Sequence, residues 1–66
     1  MYGNRLKELR KERGYTQNEL SKQLNISQIT YSQYEREVRE PSIEMLKKIA
    51  NFYKTSVDYI IDTFNN

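Results

Sequence analysis

Apolar residues recur along this chain at helical spacing and nowhere alternate with a period of two, which predicts helices and no sheet. Tyr2, Leu6 and Leu9 share one face of a first segment with Arg13 in its last turn and Gly14 behind it, the pattern of a helix followed by a C′ glycine. Thr16-Gln17-Asn18-Glu19 is a capping box, in which the Thr16 hydroxyl accepts from the Glu19 N–H and the Glu19 carboxylate reaches back. It opens a short second helix with Leu20 and Leu24 on one face, ended by Asn25, a residue that tolerates the left-handed conformation. Ser27 is a suitable N-cap for a third helix, Gln28 to Arg36. Glu37 to Pro41 is a loop, since proline disfavours helix at the residue before it. Ser42 opens a fourth helix to about Tyr53, with stripes Ile43/Leu46/Ala50/Tyr53 and Met45/Ile49/Phe52; a helix apolar on two sides lies centrally or against a partner. Thr55-Ser56-Val57-Asp58 is a second capping box, opening a fifth helix with Val57, Ile60, Ile61 and Phe64 at i, i+3, i+4 and i+7.

Such helices are too short to persist alone, because isolated helices below about 12–15 residues are marginal in water. They must form one cooperative all-α bundle. At 66 residues the chain makes a single domain with a small core. Leu, Ile, Val and Phe supply 15 residues, just above the level of about 20% below which disorder sets in. There is no cysteine and no histidine, which excludes disulfide frameworks, zinc fingers and histidine-based catalytic triads. The acids are scattered over helix surfaces and caps, so no enzyme activity, metal or cofactor is expected. No apolar run approaches the about 20 residues of a membrane span, and Met1-Tyr2-Gly3-Asn4-Arg5 starts no secretion signal. The expected location is the cytoplasm, with no membrane partner. Net charge is +2, which favours a polyanionic partner only mildly. Residues 1–13 hold five basic side chains, Arg5, Lys7, Arg10, Lys11 and Arg13.

Residues 16–36 carry the chemistry. Two short helices with facing apolar positions flank a turn at Asn25-Ile26, which is the helix-turn-helix pattern. On the third helix, Gln28, Ser32, Arg36, Ile29 and Gln33 fall within an arc of about 140°, with Tyr31 and Tyr34 on the opposite side. The outer face has two amides, a hydroxyl, an aliphatic group and a cation, and no carboxylate to repel phosphate. Glutamine can pair bidentately with an adenine edge in the major groove, and an aliphatic group can meet a thymine methyl. The alternative is a plain solvated face.

Over about residues 5–61 the chain resembles the phage repressor and Cro-type helix-turn-helix family of bacterial regulators. The matching residues are Leu9-Arg10, Thr16-Gln17 with Glu19-Leu20, Ile26-Ser27-Gln28, Tyr34-Glu35-Arg36, Pro41-Ser42, Leu46 with Ile49-Ala50, and Ser56-Val57-Asp58 with Ile60-Ile61. The resemblance implies a five-helix repressor-like fold and a sequence-specific repressor of transcription that binds double-stranded DNA as a homodimer. It implies base contacts from Gln28, Ile29 and Gln33, and backbone contacts from Gln17, Ser32, Arg36 and Arg39. It also implies a partly buried ion pair between Arg10 and Glu35.

Five positions depart from the family pattern. Ser21 replaces alanine, Asn25 the turn glycine, Tyr31 a smaller aliphatic residue, and Glu37 a common glycine, while Glu40 adds a second loop acid. The two acids oppose loop contacts to phosphate, and Arg39 has them as alternative salt-bridge partners. Phe52, Tyr59, Ile60 and Phe64 are expected to form a two-fold dimer seam. The competing function is an antitoxin or adaptor on the same fold. Only Thr63-Phe64-Asn65-Asn66 follow the fifth helix, so no partner-binding tail is expected.

Overall fold

The computed structural model describes residues 2–61. Among them are five helices and no strand: α1 (Tyr2–Glu12), α2 (Gln17–Gln23), α3 (Gln28–Glu35), α4 (Ile43–Tyr53) and α5 (Val57–Ile61). No helix is long and apolar enough to cross a membrane. Phe64, assigned above to the last stripe and to the seam, lies outside the described residues.

Each start has the local chemistry that a helix N-terminus needs for its unpaired N–H groups. The Thr16 box is closed in both directions, with Glu19 N donating to Thr16 Oγ1 at 3.0 Å and Thr16 N donating to Glu19 Oε1 at 2.9 Å. Ser27 accepts from Thr30 N at 3.1 Å and Ser42 from Met45 N at 3.0 Å. The second box is displaced from its expected place. Ser56, rather than Thr55, caps α5 by accepting from Tyr59 N at 3.0 Å, because Thr55 is engaged in ending α4, its N–H donating to Ala50 O at 2.9 Å.

Four helices end in the same way. Gly14, Asn25, Glu37 and Lys54 all have φ between 59° and 77°. In each case the next residue donates back to the carbonyl five positions earlier: Tyr15 to Arg10, Ile26 to Ser21, Val38 to Gln33 and Thr55 to Ala50. This is the Schellman closure. It stops α3 at Glu35, one residue short of the expected end, well before Pro41 acts.

The core is Leu6, Leu9, Leu20, Leu24, Tyr31, Tyr34, Leu46, Ile49, Ala50, Tyr53 and Ile60, with Tyr2, Tyr15, Ile26, Met45, Phe52 and Val57 packed around it. Both stripes of α4 are therefore used, except that Ile43, in its first turn, is exposed. Ile60 has no exposed surface, so its assignment to a dimer seam is corrected: the single turn of α5 drives that side chain into the core.

The basic N-terminal segment is largely structural. Arg13 Nη2 donates to Tyr53 O at the end of α4 (3.1 Å), with its guanidinium 5.4 Å from the Tyr53 ring centroid. Arg5 Nη1 donates to Tyr59 O in α5 (3.1 Å) and stacks 4.2 Å from the Tyr59 ring centroid. From α4, Lys48 Nζ donates to Leu24 O at the end of α2 (2.6 Å). Cations at helix C-termini satisfy orphan carbonyls and oppose the negative end of the dipole.

The left-handed positions set opposite signs for substitution. Gly14→Ala is expected to lower unfolding free energy by about 1 kcal/mol, whereas Lys54→Gly raises it by up to about 1 kcal/mol. Urea unfolding of both variants against the parent chain measures this.

Candidate nucleic-acid interface

The candidate interface centres on α3, whose orientation is fixed from inside by its tyrosines. Tyr31 is fully buried and Tyr34 nearly so, their rings edge to face at 6.4 Å. Tyr31, the residue larger than the family pattern leads one to expect, earns its place through its hydroxyl, which donates to Glu35 Oε2 at 2.6 Å. Ser21 is buried where α2 meets its neighbours, and its hydroxyl is satisfied by Asn18 O at 2.8 Å.

Glu35 stands at the meeting point of three helices. Arg10 of α1 donates to it twice, Nε to Oε2 at 2.7 Å and Nη2 to Oε1 at 3.2 Å. Gln17 of α2 donates through Nε2 to Oε1 at 3.1 Å. The remaining Arg10 nitrogen, Nη1, donates to Tyr15 O at 2.9 Å, across the turn between α1 and α2. The Arg10 and Glu35 side chains are 11% and 4% exposed, so this is a desolvated, bidentate ion pair. Burial alone would push the Glu35 carboxyl up; hydrogen bonds from Arg10, Tyr31 and Gln17, with the Arg10 charge, hold it below the usual carboxylate range. The bond to Glu35 pushes the Arg10 guanidinium up. Tyr31 is pushed up by burial and by its bond to Glu35. The neighbouring Tyr53 phenol, also buried, is pushed up to about 12.

With its inner side occupied in this way, α3 turns the other residues out. Gln28 is exposed, Ile29 is 72% exposed, and Ser32 and Gln33 are half-buried. Arg36 is exposed just past the helix end, with Nε 3.3 Å from Ser32 Oγ. No carboxylate lies on this face. Arg39 is exposed in the following loop, and among the described residues it forms no salt bridge with Glu37 or Glu40. Gln17 is half-buried beside Glu35 at the start of α2. Phe52 is half-buried between Tyr15 and Tyr53, and Tyr59 is 45% exposed. Among the described residues no cluster of acidic side chains could hold a metal ion.

Sequence reasoning passed over Gly3. A Cβ there would collide with Glu35 O and lie 2.8 Å from Glu37 Cγ, so the first turn of α1 packs against the end of α3 with no room for a side chain. The signal was available: a glycine inside a helical pattern, where no turn is needed, marks close approach of another backbone.

Comparison with known proteins agrees with this geometry. The family model described as Helix-turn-helix matches residues 6–60. The HTH-type transcriptional regulator ImmR of Bacillus subtilis is 46% identical over 59 residues, which cover 89% of this chain and 46% of that protein. SinR, an HTH-type transcriptional regulator of the same organism, is 35% identical over 63 residues, 94% of this chain and 57% of the relative. The cryptic phage CTXphi transcriptional repressor RstR of Vibrio cholerae is 28% identical over 61 residues, 92% of this chain and 55% of the relative. The chain thus spans about half the length of these curated relatives.

The buried pair gives a non-additive expectation. Glu35→Leu alone should cost about 3–5 kcal/mol, since it strands the Arg10 charge, and the Arg10→Met/Glu35→Leu double variant should cost less than either single change. Because the folded carboxyl titrates below its ordinary value of 4.5, its stabilisation is complete above about pH 5 and disappears as pH falls through the lower folded value. Denaturation of the parent and of Glu35→Leu across this acid range should show the two stabilities converging at low pH.

Proposed function

The chain belongs to the helix-turn-helix family of DNA-binding transcriptional regulators, and we propose that it is a sequence-specific repressor acting as a homodimer on a pseudo-palindromic operator. One observation carries this reading: α3 presents Gln28, Ile29 and Gln33 outward on a carboxylate-free face while Tyr31 and Tyr34 anchor it inward. A helix of this size fits the major groove, where amides pair with adenine edges and Ile29 meets a thymine methyl. Residues 5–61 serve as the DNA-binding domain and 16–36 as the helix-turn-helix within it. The work belongs in the cytoplasm, where bacterial DNA is found.

Backbone contacts fall to Gln17, Ser32, Arg36 and Arg39. Glu35 takes one hydrogen of the Gln17 amide and so fixes the direction of that side chain; the second hydrogen is left for a phosphate oxygen. The repressor assignment draws support from the phage relative RstR, a transcriptional repressor. The transcriptional roles named for the relatives favour a regulator over an adaptor. For the dimer, Tyr59 and Ile61 are the exposed apolar groups of α5, at 45% and 40%. With Phe52 they replace Ile60 in the proposed two-fold seam.

Selection of binding sites from random duplex DNA tests the reading. The expected product is an inverted repeat with half-site centres about 34–36 Å apart. Gln33→Ala should cost about 1–3 kcal/mol at one base step per half-site and relax specificity there. An equal loss on every sequence would contradict the base-reading role.

A further inference from the structure

Glu37 occupies a left-handed turn, φ 60°, where glycine would be less costly for the backbone. Its side chain explains the choice. The Gly3 N–H donates to Glu37 Oε2 at 2.8 Å, across 34 residues of sequence. Two residues on, the Tyr2 hydroxyl donates to Arg39 O at 3.2 Å. The first turn of α1 contains no acid of its own, so Glu37 supplies through space the negative charge that a helix N-terminus favours. The glycine at position 3 lets the two backbones meet, since any Cβ would strike Glu35 O and crowd the Glu37 side chain. The Tyr2 phenol is pushed up by burial and by the Glu37 and Glu40 carboxylates, which places it among the same groups.

We infer that Glu37 is a positioning residue: its carboxylate latches the segment after α3 to the first turn of α1 and so sets where Arg36 and Arg39 stand. Arg36 precedes the latched residue directly, and Arg39 is held through its own carbonyl. The acid that would repel phosphate from an open loop is instead turned back into the protein. Its negative charge is therefore compatible with a DNA-facing loop, and its removal loosens the cations on either side. The consequence for DNA rests on the reading in the preceding subsection; the latch itself does not.

Glu37→Gly tests both parts, because glycine keeps the left-handed turn while deleting the carboxylate. In 1H–15N spectra the Gly3 amide of the variant should move upfield as its acceptor is lost, with thermal melting little changed. On the selected duplex its affinity should fall several-fold, and the slope of log affinity against log salt should shrink by about 1, the signature of one lost phosphate contact. Tyr2→Phe, which removes the second tie, should change affinity in the same direction and leave the Gly3 amide in place. If Glu37 faces phosphate, Glu37→Gly raises affinity and steepens the slope, and the proposal is overturned. A Gly3 shift with unchanged DNA affinity reduces the contact to a helix cap and overturns the positioning role; an unmoved Gly3 amide overturns the latch. Failure of the parent chain to bind any selected duplex counts against the DNA-binding reading, while the Gly3 resonance still decides the latch.

Discussion

A carboxylate that accepts four hydrogen bonds from three helices sits at the junction of α1, α2 and α3. Taking two charges out of water costs several kcal/mol per ion, and only good geometry with satisfied lone pairs returns it. Glu35 meets that condition through Arg10, Tyr31 and Gln17. The arrangement has a directional consequence that apolar packing lacks. Leucines tolerate small rotations of one helix on another, whereas a bidentate guanidinium–carboxylate pair does not. Since Glu35 and Tyr31 both belong to α3, the network fixes the rotation of that helix about its axis, and with it the set of side chains left facing out.

The rest of the molecule is organised so that short helices can hold that junction. None is long enough to persist alone, and specific local chemistry starts or stops each of them among the described residues. Serine or threonine caps start α2 to α5, and left-handed turns end α1 to α4. Arg5, Arg13 and Lys48 reach from one helix to the terminal carbonyls of another. The basic character of the N-terminal segment is therefore mostly a feature of the fold. Arg36, just past α3, and Arg39, in the following loop, are exposed cations whose side chains tie no two helices together.

Helix order, the caps at Thr16, Ser27 and Ser42, the left-handed Asn25 and the inward tyrosines were all legible from the chain, because each depends on residues within one or two turns. What failed was long-range or competitive. Thr55 looks like a cap until the closure of α4 claims it and passes the role to Ser56. Ile60 and Ile61 are adjacent aliphatics, and periodicity alone gives no reason why one is sealed in the core and the other left half in solvent. Ile43 belongs to an apolar stripe by spacing but, as the first residue of α4, is left exposed beyond the edge of the core. Glu37 reads as a repulsive loop acid because its acceptor role depends on Gly3, a residue 34 positions away. The Arg10–Glu35 pair came from family resemblance, since no local pattern joins residues 25 apart.

The central claim is that this internal network turns the amides of α3 toward a duplex. Its most direct test is titration of the 15N-labelled protein with a duplex carrying its selected site, following side-chain amide resonances. The account predicts that the largest changes fall on the side-chain amides of Gln28, Gln33 and Gln17, with Arg36 and Arg39 next and the exposed face of α5 little affected. Changes confined to α5, or to the Lys7 and Lys11 face of α1, with the α3 glutamines unmoved, would contradict it.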